Sequence, residues 1–224
     1  MESEQKILVV SPHPDDETLG CGGTLLRHMR EGDKTYWLNV TDINVETGWA
    51  EEKVMVRRNE LEKVNAAYTF VDSINLSLPP AELDTFPFRQ IVEKVGNVVQ
   101  SIGATTIYTP YAHDVHTDHQ IVARAINACI KWYRYPSVKR VLSYETLSET
   151  DFKVNWDVVF RPNTYVDISA TLEDKLKIME MYDSEIEPFP FPRSTKAIRA
   201  LAYLRGSQSG FEAAEGFQLV LDRI

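Results

Sequence analysis

Two short stretches concentrate side chains that bind metals and move protons. "HPDDE" at 13–17 holds His13, Asp15, Asp16 and Glu17, and "YAHDVHTDHQ" at 111–120 holds His113, Asp114, His116, Asp118 and His119. Four of the chain's five histidines lie in these two stretches, so the pattern is a concentration rather than a scatter. Carboxylates this crowded repel one another unless a cation or a proton compensates. Catalytic zinc commonly takes three ligands from His and Asp or Glu and leaves a position for water. His13 and Asp16 are three residues apart, as are His116 and His119, a spacing that places each pair on one side of a turn. One pair plus one residue of the other completes such a site, and spacing alone leaves open which. A nearby carboxylate such as Asp15 suffices as general base, because zinc lowers the pKa of bound water to about 7. Each stretch also has a plainer reading, as a helix start with acidic residues facing the dipole. The pair is harder to explain that way.

The elements that must position these side chains follow from periodicity. "KILVVS" (6–11) is the continuous apolar run of a strand buried on both faces. A helical pattern follows in "TLGCGGTLLRHMREG" (18–32), with Gly32 as its stop. Strands are predicted at 34–42, 70–78 and 105–110, and helices at 51–68, 88–103 and 119–135. That alternation predicts βαβ units, a parallel sheet and helices on both faces. Ligands of such sheets bind at the carboxyl ends of the strands, where both clusters fall. Beyond residue 135 the pattern is more mixed. Strands are read at 138–147 and 158–169, a helix at 172–184 and a proline-punctuated loop at 187–194. No repeat or linker marks a boundary, so residues 1–224 are expected to form a single domain. Gly20, Gly22 and Gly23 lack the G-x-G-x-x-G spacing of a phosphate loop. His28, Cys21 and Cys129 read as packing residues.

Composition narrows the function. A net charge of -9 and no basic run longer than Arg57–Arg58 argue against nucleic acid. With 43% hydrophobic and 25% charged residues the chain is too apolar for disorder. No apolar window is long enough for a membrane span, and the polar N-terminus lacks the apolar core of a signal peptide. Two cysteines without a C-x-x-C pair fit a reducing compartment, so a cytoplasmic location is expected.

The sequence resembles the PIG-L/LmbE family of zinc-dependent N-acetylglucosaminyl de-N-acetylases. "HPDDE" matches that family's first signature, and "DVHTDH" at 114–119 its Asp-x-His-x-Asp-His element, with Thr117 where proline is frequent. "RRNE" at 57–60 matches its Arg-x-x-Glu helix, and "PNTYVDIS" (162–169), "PRS" (192–194) and "AEGF" (214–217) resemble its C-terminal landmarks. The resemblance implies a Rossmann-like three-layer αβα sandwich with a mostly parallel sheet. It implies that His13, Asp16 and His119 bind Zn²⁺, with other divalent metals possible, and that Asp15 is the general base. His116 would stabilise the oxyanion and protonate the departing amine, with Asp118 orienting it. Arg57 would contact substrate or oxyanion, Asp114 would support the second motif, and Glu17 would act structurally. His113 is an addition to the pattern. The implied reaction removes the N-acetyl group of an N-acetylglucosamine-type sugar or conjugate, releasing acetate and a free amine. Two alternatives stand beside it: an amidase cleaving a larger acyl group, and a non-enzymatic sugar- or nucleotide-binding module. The loops at 43–52, 77–87 and 184–196 are expected to select the sugar, with Trp49, Tyr111, Phe189 and Phe191 as stacking candidates. A homo-oligomer is compatible with all of this.

Overall fold

The computed structural model describes residues 5–152 and 158–224. Among them, seven strands form one sheet: β1 (Lys6–Ser11), β2 (Lys34–Thr41), β3 (Asp72–Leu78), β4 (Thr106–Pro110), β5 (Arg140–Tyr144), β6 (Thr164–Asp167) and β7 (Ala214–Asp222). Their spatial order is β3-β2-β1-β4-β5-β7-β6. The first five strands pair in parallel, and β7 runs antiparallel to both β5 and β6. Six helices cover the sheet: α1 (Asp16–Glu31), α2 (Glu51–Tyr68), α3 (Phe88–Ile102), α4 (Thr117–Ala128), α5 (Leu172–Met179) and α6 (Thr195–Ser209).

The alternation of β1 explains the layers. Ile7 and Val9 face one apolar cluster, with Leu25 of α1, Val64 and Tyr68 of α2, Leu176 of α5 and Ile198 of α6. Leu8 and Val10 face the other, with Ile91 and Val95 of α3 and Val122 and Ile126 of α4. A strand with both faces covered has no solvent side, which is why its sequence is an unbroken apolar run. The result is the three-layer α/β arrangement expected.

Several boundaries differ from the periodicity reading. The helix predicted over 119–135 ends at Ala128, where the chain turns to bring Val138 into the core ahead of β5. Trp132 and Tyr133 then lie exposed in turns rather than on an apolar helix face. The helix predicted over 172–184 stops at Met179, and the strand predicted over 158–169 is confined to Thr164–Asp167. Two elements carry no prediction at all. Helix α6 has a Ser194 cap, whose hydroxyl accepts the Ala197 N–H at 3.3 Å, and a Gly210 stop. Both are legible start and stop signals. Strand β7 enters the sheet between β5 and β6, a place no local pattern specifies.

Helix α1 is broken at Cys21 (φ -146°, ψ 23°). A break frees backbone groups that a buried helix cannot leave unpaired. Lys175 donates to the freed Leu19 carbonyl at 2.9 Å. The Gly23 and Thr24 amides donate to the two carboxylate oxygens of Glu215 at 2.9 and 2.8 Å. Lys175 and Glu215 are themselves buried and paired at 2.6 Å. The glycines here serve close packing rather than phosphate. A Cβ at Gly20 would stand 2.2 Å from the Tyr144 ring, and one at Gly23 would stand 2.7 Å from Ile168.

Candidate active site

β1 and β4 are adjacent and parallel, so the segments that follow them emerge side by side. From β1 the chain moves to β2 on one side, and from β4 to β5 on the other. This reversal is the switch point at which open α/β sheets bind ligands. Both histidine-carboxylate clusters meet there, at one end of a cavity of about 740 Å³.

Three side chains converge on one small volume. The ligand atoms of His13, Asp16 and His119 all lie within 4.8 Å of one another. His13 Nδ1 is 3.5 Å and His119 Nε2 3.3 Å from the same atom, Asp16 Oδ2. Donors around a tetrahedral ion with bonds of about 2.0–2.1 Å stand roughly 3.3–3.4 Å apart, so two edges of this set match. Each ring's other nitrogen is held by a second carboxylate. His13 Nε2 meets Asp118 Oδ2 at 3.0 Å, and His119 Nδ1 meets Asp114 Oδ2 at 2.8 Å. Such carboxylate–histidine pairs orient imidazoles toward a metal. The donor set therefore fits a divalent metal ion.

The protonation pattern says the same. Burial lowers the His13 pKa, but its hydrogen bonds to Asp118 and Asp16 outweigh this and push it up to about 9. Burial also opposes charge on His119, yet Asp16 and Asp114 raise it well above its ordinary value. Asp16 is held below the usual carboxylate range: burial opposes this, and the two histidines overcome it. The acidic cluster thus favours positive charge at both histidines.

Asp15 occupies a strained position. It precedes α1 with φ 118° and ψ -27°, a conformation uncommon outside glycine and costing about 1–3 kcal/mol. Its side chain does not cap the helix. Instead Glu17, fully buried, accepts the Asp15 N–H at 3.2 Å and hydroxyl bonds from Thr18 at 2.6 Å and Tyr182 at 2.7 Å. Glu17 thereby secures the turn: the stretch is a helix start with acidic residues in its first turn, but Asp15 is not its side-chain cap. Asp15 Oδ2 is buried with no hydrogen-bond partner among the described residues. Burial and the charge of Asp16 raise its pKa well above the usual range. Its nearest cation is Arg193, at 3.8 Å.

His116 caps α4, and its Nδ1 accepts the Asp118 N–H at 3.1 Å. The neutral ring therefore carries its proton on Nε2. Its ring centroid is 4.5 Å from that of His13. Asp118 makes its hydrogen bond to His116 through that backbone amide. Its carboxylate accepts from the amides of Ala81 (2.7 Å) and Leu83 (3.2 Å) and meets His13. His113 is exposed and packs on Tyr111, apart from the cavity lining.

Arg57 lines the cavity, but its guanidinium is engaged. It donates to the Pro14 carbonyl at 3.4 Å, to Ser184 Oγ at 3.2 Å and, in a short contact, to Glu185. Glu60, one turn along α2, pairs with Arg57 at 3.1 Å and accepts the Ser184 amide at 2.9 Å. "RRNE" is thus a latch on the 184–185 loop. Glu185 also pairs with Arg193 at 3.2 Å. Sequence reasoning assigned no role to Glu185 or Arg193. The "PRS" motif was a signal for Arg193, but no signal marked Glu185.

Comparison with known proteins agrees with this geometry. The family described as GlcNAc-PI de-N-acetylase matches residues 8–130, which include both clusters. A diacetylchitobiose deacetylase of Thermococcus kodakarensis is 26% identical, over 96% of this chain and 83% of its own. A 2'-N-acetylparomamine deacetylase of Streptomyces fradiae is 27% identical, over 81% of this chain and 74% of its own. The crystal structure of the conserved protein TT1542 from Thermus thermophilus superposes with a TM-score of 0.77 at 26% identity, covering 97% of this chain and 96% of that one. With more than half of its residues matched, including both histidine-carboxylate clusters, the chain belongs to the GlcNAc-PI de-N-acetylase (PIG-L) family.

Proposed function

We propose that the protein is a zinc-dependent hydrolase that removes the N-acetyl group from an N-acetylglucosamine-type sugar or conjugate, with residues 1–224 acting as one catalytic domain. The observation that carries this reading is the convergence of His13, Asp16 and His119 beside a buried carboxylate, Asp15, whose Oδ2 has no hydrogen-bond partner among the described residues. The deacetylase names of the relatives support the acetamide and the amino sugar.

His13, Asp16 and His119 hold the ion. Zn²⁺ at this position supplies a Lewis acid for the carbonyl and lowers the pKa of water to about 7. Asp15 takes the proton of the attacking water, and its raised pKa suits that task. Arg193, at 3.8 Å, positions this carboxylate. His116 offers its Nε2 proton to the carbonyl oxygen as charge develops there. Burial and nearby His13 lower the His116 pKa, so it remains a neutral donor. A neutral ring with a single proton is a poor source for the departing amine. The proton held by Asp15 is available for that step, beside the acid role expected for His116. Asp118 fixes His13 and, through its amide, the His116 tautomer. Arg57 acts on the site by holding the Pro14 turn and the 184–185 loop, rather than by presenting a free guanidinium to substrate.

The test is acetate release from N-acetylated sugars by metal-loaded protein. Asp15→Asn is expected to lower kcat by about 10²–10⁴-fold while retaining metal by elemental analysis. Full activity in that variant, or release of a larger acid than acetate as the sole product, overturns the reading.

A further inference from the structure

The cavity is larger than its chemistry requires. About 740 Å³ lies within the roughly 300–1,000 Å³ of sites for drug-sized ligands, and one amino sugar with its acetyl group is smaller than that. Part of its lining comes from the segment that follows β2 and the start of α2. Ile43, Trp49 and Val56 line it there, and Trp49 and Val56 are 39% and 48% exposed. An exposed tryptophan in a cavity wall costs hydrophobic free energy unless a ligand covers it.

Among the described residues lining this cavity, Trp49 is the sole aromatic other than histidine. The competing aromatics are accounted for elsewhere. Tyr111 is buried against Phe160, and neither Phe189 nor Phe191 lines the cavity. Charge sets the second property. Arg57 is paired with Glu60 and Glu185, and Arg193 with Glu185. Lys53 lies over the Trp49 ring at 5.8 Å, and Asp42 and Glu52, from the same segments, outnumber it in the lining. An anionic group entering here meets carboxylates and finds the arginines already paired.

We infer that the cavity mouth is a second subsite, in which Trp49 stacks on an uncharged ring attached to the N-acetylated sugar and the acidic wall turns away anionic conjugates. The inference rests on the proposed deacetylase reading and deepens it by naming the substrate class: neutral di- or oligosaccharides and aryl glycosides. Stacking on one aromatic face predicts a preference of roughly tenfold.

The experiment compares kcat/KM of metal-loaded protein for N,N'-diacetylchitobiose, N-acetylglucosamine and a carboxylate-bearing N-acetylglucosaminide. The uncharged disaccharide is expected to lead both others by about tenfold or more. Trp49→Ala is expected to lower the disaccharide-to-monosaccharide ratio about tenfold through KM, and Trp49→Phe to restore most of it. Glu52→Gln is expected to narrow the margin over the anionic glycoside. An equal fall for both sugars, an unchanged ratio or a preferred anionic glycoside each overturns the subsite. Calorimetric titration of the same three sugars into Asp15→Asn reads the preference without turnover. Absence of turnover by the wild type therefore sinks the deacetylase reading, while the titration still decides the subsite.

Discussion

His119 shows how much of the site is held by groups that never meet substrate. Its Nδ1 rests on Asp114, which is fixed in turn by the Thr150 hydroxyl at 2.6 Å, and its Nε2 faces Asp16. Removing such a partner typically weakens metal binding 10–100-fold. Asp114→Ala should therefore raise the dissociation constant for zinc in a competitive chelator titration by about that factor, with the fold intact by circular dichroism. Unchanged affinity would show that Asp114 is only a packing residue. His13 supplies a pH prediction. Its pKa of about 9 in the metal-free protein lies above its ordinary 6.5. A raised histidine contributes stability that is fully present below 6.5 and is lost as pH rises through about 9. The bound proton also blocks a ligand position, so metal affinity should rise across the same window. Metal-buffered titrations and denaturation of the metal-free protein between those limits test both signs; a flat profile in both would refute the assignment.

At the scale of elements, α1 carries the first half of the site on a broken helix. The break at Cys21 is tolerated because Glu215 of β7 and Lys175 of α5 satisfy the groups it frees. Removing one member leaves an uncompensated buried charge, which costs about 3–5 kcal/mol. Glu215→Ala should lose about that much in urea denaturation, and a paired Lys175→Met, Glu215→Leu variant should recover part of it. A loss below 1 kcal/mol, on the order of an exposed pair, would mean the ion pair does not support the break. The same contact explains the "AEGF" landmark: Glu215 reaches the Gly23 and Thr24 amides, and Gly216 packs against Pro162 and Arg205.

Across the whole molecule the site is a cross-link. The three residues proposed to hold the ion lie in the loop after β1, the first turn of α1 and the first turn of α4. An ion bound to the folded chain alone stabilises it by about 4 kcal/mol at a thousandfold excess over Kd. For a chain of this size that corresponds to roughly 10 °C in Tm. Chelation should lower the melting temperature by about that amount and zinc should restore it. A Tm insensitive to both would argue against a preformed metal site. None of the described helices is long and apolar enough to cross a membrane.

Local pattern alone carried the parallel half of the fold. An apolar run such as 6–11 and a charged helical stretch such as 51–68 depend on neighbours in sequence, and both elements match their expected bounds. The composition of the two clusters was equally legible, because metal chemistry restricts residue type. The remainder depended on contacts between distant segments. Strand β7 has its place only because β5 and β6 offer it antiparallel edges. Arg57, expected to reach substrate, is tied to Glu185 and Ser184, 127 or more residues away. Asp118 turns its carboxylate to His13 rather than His116 because the Ala81 and Leu83 amides hold it there. Residue type and spacing named the chemistry; which atom faces which was decided by long-range packing, since hydrogen bonds within a few ångströms depend on segments the local sequence does not contain.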